Sequence, residues 1–138
     1  MKTLSKSDVK ELINLDLYNE EVLEQMESQE DDFEEGRFRF IHKDEIDKIQ
    51  QDELSSDEYI LGCFNAEFLC NILPISYDAI KKMQECEAFE AVGEIIIGGG
   101  HLEEVQEQYA SADGYGQHFN SYDGNEYEVG EYLVFQTN

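Results

Sequence analysis

Long apolar runs are missing from this sequence. No stretch approaches the roughly 18 to 20 consecutive apolar residues that a membrane-spanning helix requires, which excludes an α-helical membrane protein. The opening residues, MKTLSKSDVKEL, are too charged and too often interrupted by polar residues for a signal peptide. We therefore expect a soluble, cytoplasmic protein that has no membrane partner.

Cysteine is also scarce. Cys63, Cys70 and Cys86 form an odd set in moderately apolar surroundings, which argues against a disulfide framework and suits a reducing compartment. A structural zinc site is not expected, because Cys63 and Cys70 would lie roughly 10 Å apart along one helix. We expect three buried thiols.

The most informative scarcity is that of the basic residues Lys and Arg. The chain has 33 Asp and Glu residues against nine Lys and Arg residues, a net charge of −24, and no cation follows Lys82. A duplex as long as the expected protein diameter, roughly 37 Å, carries on the order of 22 phosphate charges. The two charges are comparable, so repulsion excludes direct binding of nucleic acid and of anionic membranes. A basic protein surface is the favoured partner.

Enough apolar residues are present for one core. At 138 residues and 41% apolar content, the chain fits a single domain over 1–138. The pattern predicts an α+β fold with N-terminal and central helices, a short strand, and a C-terminal antiparallel β-meander. The oligomeric state stays open, and a dimer is one of the alternatives.

Local signals place the N-terminal elements. Ser5 and Asp8 have the spacing of a capping box, and Asn19 can cap a second helix. The charge run Glu30–Gly36 indicates an exposed turn, and the alternating arginine and aromatic residues of 37–41 predict a strand.

Helical spacing then returns over 43–54 and, most clearly, over 57–72, which we expect to be one core helix ended by Pro74. Further helices are expected after Ser76 and over 102–109. From Tyr115 onward, aromatic segments on both sides of an Asp-Gly turn signal predict the meander.

No motif of a catalytic or metal site is complete. Gly98–Gly100 lacks the lysine of a P-loop, and Asp123–Glu126 does not match a calcium-binding EF-hand loop. His118 would be the best candidate for a catalytic base, yet no nucleophile motif accompanies it. The helix pair over 65–86 has the size of a helix-turn-helix, but too few cations to bind phosphates. We expect no catalytic residue, no metal, no cofactor and no enzyme activity.

The net charge and the C-terminal tail resemble those of a known class of proteins. The anionic stretch after Lys82 and the tail Tyr122–Glu128, of sequence YDGNEYE, are similar to those of small acidic proteins encoded by bacteriophages and mobile elements. These include DNA-mimicking antirestriction and anti-CRISPR inhibitors. The resemblance implies an inhibitor of a host defence protein in the host cytoplasm, and it implies no particular fold. Arg37, Arg39 and Lys43 depart from a uniformly acidic mimic.

The leading hypothesis is therefore a protein that binds a nucleic-acid-binding host protein and inhibits it, with carboxylates in place of phosphates. Its expected contact residues follow Lys82 and are acidic: Glu103, Glu104, Glu107, Asp113, Asp123, Glu126, Glu128 and Glu131.

The alternative is an accessory protein that binds a regulator or toxin through an apolar, aromatic patch, with its charge serving solubility. The side chains of that patch would be Tyr109, Tyr115, Phe119, Tyr122 and Tyr127.

Overall fold

The computed structural model describes residues 4–138, which form nine helices and one antiparallel sheet of four strands. The elements in chain order are α1 (Lys6–Asn14), α2 (Glu20–Glu27), β1 (Asp32–Glu35), β2 (Phe38–His42), α3 (Ile46–Ser55), α4 (Glu58–Gly62), α5 (Ala66–Cys70), α6 (Tyr77–Glu85), α7 (Phe89–Gly98), α8 (Leu102–Asp113), α9 (Gly116–Phe119), β3 (Tyr127–Val129) and β4 (Tyr132–Gln136). The predicted α+β class is confirmed. Among these described residues no helix is long and apolar enough to cross a bilayer.

The described chain divides into two compact units. The sheet unit comprises the described part of Met1–Ile46 together with Asp113–Asn138, and the helical unit is Asp47–Ala112. The single domain over 1–138 stays a prediction.

The sheet of the sheet unit has the strand order β1-β2-β4-β3, so its two central strands come from distant parts of the sequence. Phe40 of β2 lies opposite Val134 of β4. On the face that carries Phe40 and Val134, the sheet packs against Leu12 of α1 and Val22 of α2. On the opposite face the fully buried ring of Phe135 meets Phe119 of α9, with 5.2 Å between ring centroids. Helices of the same unit thus contact both faces of the sheet.

The two N-terminal helices begin where the caps predict. The Ser5 hydroxyl accepts a hydrogen bond from the Asp8 N–H, and the Asp8 carboxylate accepts one from the Ser5 N–H. The side chain of Asn19 accepts a hydrogen bond from the Val22 N–H at 2.9 Å. Each cap satisfies backbone donors that have no partner within the helix.

The helical unit is held by its own apolar core, in which Leu61, Leu69, Ile80 and Ile96 are fully buried. Helices α4 and α7 pack closest of all. A Cβ atom on Gly93 of α7 would overlap the backbone carbonyl of Glu58 in α4, so the two helices approach to backbone contact.

Two local predictions are corrected by tertiary contacts. The predicted exposed turn Glu30–Gly36 contains β1, because Phe33 turns inward and stacks on Phe40 with 4.6 Å between ring centroids. The predicted single helix over 57–72 is two short helices. Asn65 caps the second of them, its side-chain oxygen accepting hydrogen bonds from the N–H groups of Glu67 and Phe68.

Two further expectations are corrected. Cys63 and Cys86 are exposed and Cys70 is half-buried, so the three thiols are not buried together. Residues 116–119, expected within the first part of the meander, form α9 instead, and the strands that follow are β3 and β4. Gly116 lies so close to the carbonyl of Gly124 that there is no room for a Cβ atom.

Candidate protein-binding surfaces

Helix α8 presents the first group of predicted contact residues. Glu103, Glu104 and Glu107 are exposed, whereas Val105 and Gln106 on the same helix are fully buried. None of the three glutamates forms an ion pair with any residue between 4 and 138. Glu103 and Glu104 occupy the first turn, where the helix dipole favours a negative charge. The result is a row of solvated carboxylates on a helix whose other face is fixed.

A buried amide network fixes that other face. The Gln106 side-chain nitrogen donates hydrogen bonds to Asp47 Oδ1 at 2.9 Å and to Gln50 Oε1 at 2.8 Å. The Gln106 side-chain oxygen accepts one from Gln51 Nε2 at 2.9 Å. Because these bonds tie α8 to α3 within the helical unit, α8 cannot rotate without breaking them. They hold the three glutamates outward.

The remaining predicted carboxylates belong to the sheet unit, and several have local structural roles. Asp123 is exposed and its carboxylate accepts a hydrogen bond from the Asn125 N–H at 3.1 Å within a turn. Glu128 is exposed and pairs with Lys43 at 2.9 Å. Glu131 is half-buried, while Asp113 and Glu126 are exposed. The Lys43 ion pair reduces the net charge that Glu128 offers to a partner.

The turn that carries Asp123 is built around Asn120, which is 5% exposed. The Asn120 side-chain oxygen accepts hydrogen bonds from the N–H groups of Tyr122 and Asp123, and its nitrogen donates to the Asn125 carbonyl at 2.6 Å. This network holds Asp123 and Tyr122 at the surface. The sequence alone did not predict that Asn120 holds these two residues in place.

The five aromatic residues of the alternative patch have different surroundings. Tyr109 of the helical unit packs on Phe64 with 5.1 Å between ring centroids. In the sheet unit, Phe119 is 3% exposed and Tyr127 is half-buried against the core. Tyr115 is half-buried, whereas Tyr122 is 64% exposed. Tyr122 is the one ring of the five that is mainly solvent-accessible.

Sequence reasoning missed a second acidic surface. Residues 11–36 contain eleven acidic side chains and no Lys or Arg. Helix α2 carries four of them, all exposed: Glu20, Glu21, Glu24 and Glu27. The signal was present in the sequence, since the interval between Lys10 and Arg37 is as free of cations as the segment after Lys82.

Beside α2 lies a groove of about 480 Å³ that belongs wholly to the sheet unit. Its apolar walls come from Leu4, Val9 of α1, and Leu23 and Met26 of α2. Tyr18, which is 50% exposed, stands at its edge. The volume falls in the range of ligand-binding clefts, about 300 to 1,000 Å³.

Three carboxylates also line this groove: Asp8, Glu27 and Glu131. Burial raises the pKa of Asp8. Hydrogen bonds from the Gly130 backbone and from Ser5, together with the nearby Lys43 charge, lower this pKa by more than burial raises it. The net pKa of Asp8 is below its ordinary value, so this carboxylate is ionised at neutral pH. An apolar groove with a fixed negative charge favours a ligand that is both apolar and cationic.

His42 and His118 both contact neighbouring side chains. His42 is buried, its Nε2 lies 3.0 Å from Gln29 Oε1, and its Nδ1 accepts a hydrogen bond from the Asp44 N–H. The half-buried ring of His118 lies edge-on to Phe119. No group of three metal-binding side chains occurs in the part of the chain that the structure describes.

Comparison of this chain with protein-family models, with curated proteins and with solved structures found no match.

Proposed function

We propose that this protein binds a basic, nucleic-acid-binding protein and blocks it, with exposed carboxylates in place of phosphates. The observation that carries the proposal is the row of unpaired carboxylates on α8. Glu103, Glu104 and Glu107 fall within five residues of α8, a length of about 7.5 Å at the rise of an α-helix. One charge per about 2.5 Å is a linear charge density at least as high as that of one nucleic-acid strand, which has one phosphate per about 3.4 Å.

Helix α2 supports the same proposal in the sheet unit. Four exposed glutamates occupy its eight residues, or about 12 Å of helix, which corresponds to one charge per about 3 Å. Like charges three and four residues apart destabilise a helix by a few tenths of a kcal/mol per pair, about 0.2 to 0.5. A basic partner would offset this repulsion, and it would be attracted by long-range electrostatic steering.

The test is affinity capture from bacterial lysate with the tagged, full-length chain, followed by elution in steps of increasing salt. We expect recovery of a nucleic-acid-binding protein that is released by salt and displaced by added DNA. A single salt-resistant partner that ignores DNA would contradict the proposal and support the apolar alternative, for which Tyr122→Ala is the diagnostic variant.

Matched variants then separate specific contacts from bulk charge. The triple variant Glu103→Gln, Glu104→Gln, Glu107→Gln should weaken binding to the captured protein by about tenfold or more, because it removes phosphate-like contacts. The control variant Glu67→Gln, Glu85→Gln, Glu90→Gln removes the same charge from exposed positions elsewhere in the helical unit. Equal weakening by both would show that net charge alone acts, and no weakening by the first would exclude α8.

A further inference from the structure

The groove of the sheet unit is a second binding feature, separate from the carboxylates of α8. Its apolar walls are well packed, since Met26 is 6% exposed and Leu23 packs against the core of the same unit. Leu4 and Val9 face it from the other side. Apolar area that stays open to water at a concave site gains free energy when an apolar group covers it.

A glycine keeps part of this groove open. Gly130, in the turn between β3 and β4, has φ of +59°, a conformation that other residues rarely adopt. A Cβ atom at this position would lie 3.1 Å from the Leu4 Cδ2 atom and 3.8 Å from the Met26 Cε atom. The groove wall is therefore backbone at this point, and the Gly130 N–H is directed to the Asp8 carboxylate.

The charge of the groove selects among apolar ligands. Among the described residues that line it, Asp8, Glu27 and Glu131 are charged, and none is a Lys or Arg. Glu27 ends α2, where the helix dipole disfavours a carboxylate, so this charge does not serve the stability of the helix. An acidic peptide or an anionic lipid would be repelled, whereas a Lys or Arg beside an apolar side chain would be attracted.

We propose that this groove binds a peptide segment of a partner protein, in which an apolar side chain flanked by Lys or Arg enters between Leu4, Leu23 and Met26. Methionine adapts to ligands of different shape, and the half-exposed Tyr18 supplies an aromatic contact at the edge. This site is independent of the carboxylate row on α8.

The probe is a displayed library of random twelve-residue peptides, selected on the full chain at a salt concentration of about 0.3 M, which screens long-range attraction. We expect enriched peptides to share an apolar residue flanked by Lys or Arg. No enrichment above background, or enriched peptides without this pattern, would overturn the proposal.

Binding of one enriched, fluorescently labelled peptide is then measured by anisotropy against matched variants. Tyr18→Ala and Glu27→Gln should each weaken binding by about fivefold, through lost aromatic contact and lost charge respectively. The controls are Tyr77→Ala, at an exposed tyrosine of α6, and Glu34→Gln, at an exposed β1 residue outside the groove.

The controls should leave the affinity unchanged, and so should the triple glutamine variant of α8. Equal losses in Glu34→Gln and Glu27→Gln, or full binding by both Tyr18→Ala and Glu27→Gln, would place the peptide elsewhere and overturn the proposal.

Discussion

Tyr132 joins distant parts of the sheet unit through one side chain. It is 1% exposed, and its hydroxyl donates a hydrogen bond to the Glu30 carbonyl at 2.6 Å. Its ring meets Phe33 and His42 edge-on, with centroid distances of 5.5 and 5.1 Å. The segment after α2 is thus tied directly to β4.

Alkaline pH should weaken this tie. Burial and the nearby charges of Asp31 and Glu30 raise the pKa of Tyr132 to about 12, from 10.0. The pKa of Tyr132 is higher in the folded than in the unfolded state. The contribution of the protonated Tyr132 hydroxyl to folding stability is therefore complete below pH 10 and is lost as the pH rises through 12. The stability lost in that window is about 2 to 3 kcal/mol.

The variant Tyr132→Phe tests this linkage by urea unfolding at pH 8 and at several pH values above 10. We expect a loss of about 1 kcal/mol at pH 8, since the hydrogen bond is gone, and a smaller further loss at alkaline pH than in the unsubstituted chain. Tyr122→Phe, at an exposed ring, is the control and should follow the unsubstituted chain. An identical alkaline loss in Tyr132→Phe would refute the assignment.

Single residues also show what a sequence pattern cannot predict. Gln50 and Gln106 are fully buried, although their polarity places them on a solvated face in any pattern analysis. The burial of Gln106 depends on Asp47, Gln50 and Gln51, which supply its hydrogen-bond partners from α3. Asp8, in contrast, could be predicted, because its capping role depends only on the local spacing to Ser5.

At the scale of elements, the crossing of α4 and α7 depends on two glycines. Gly62 and Gly93 each face a backbone carbonyl of the opposite helix, at Phe89 and Glu58 respectively. A methyl group at either position has no flexible side chain to displace, so the helices themselves must separate. Close packing of this kind is sensitive to one added carbon.

We therefore expect Gly93→Ala to destabilise the protein by about 3 kcal/mol, because overpacking costs more than the gain in helix propensity. Gly98→Ala is the matched control: Gly98 ends the same helix, and a Cβ atom there meets no other atom within 4 Å. Thermal unfolding followed by circular dichroism measures both. A neutral Gly93→Ala would mean that the crossing tolerates separation.

The elements that sequence reasoning predicted are those with local signals. Helices α1, α2 and α6 begin at the capping residues Ser5, Asn19 and Ser76. Strand β1 was missed because Phe33 is a lone buried residue in a charged run, and its ring partners Phe40 and Tyr132 come from other strands. The interruption between α4 and α5 was missed for a similar reason, since Gln84 Nε2 satisfies the carbonyls of Gly62 and Phe64 from α6.

At the scale of the whole molecule, the net charge of −24 opposes folding through self-repulsion. Both units contribute, because fourteen acidic residues accompany three cations in the helical unit and nineteen accompany six in the rest of the chain. Intramolecular ion pairs cannot neutralise such an excess. Mobile counterions can reduce its effect.

Salt should therefore stabilise the fold. We expect the unfolding midpoint to rise by about 5 °C between roughly 10 and 300 mM NaCl, as the Debye length shortens to below 10 Å. Differential scanning calorimetry measures it, and NaBr in place of NaCl controls for specific anion effects. A flat or falling midpoint would show that the carboxylates are too far apart to repel one another strongly.

The carboxylates of α8 could be predicted as exposed from helical spacing alone, but the groove could not. Its walls come from α1, α2 and the turn at Gly130, which are adjacent only because β4 enters the sheet beside β2. Periodicity describes one element at a time. A site built by three elements requires the tertiary structure.

The pairing of β2 with β4 also sets an order of events during translation. β1 and β2 leave the ribosome first, and the whole helical unit is synthesised before Val134 arrives opposite Phe40. In that interval the nascent β1–β2 hairpin has no central neighbour, and isolated hairpins are only marginally stable in water. A premature stop before Tyr132 would remove a central strand, so the product would be an unfinished sheet with exposed aromatic residues and a natural substrate for chaperones and proteases.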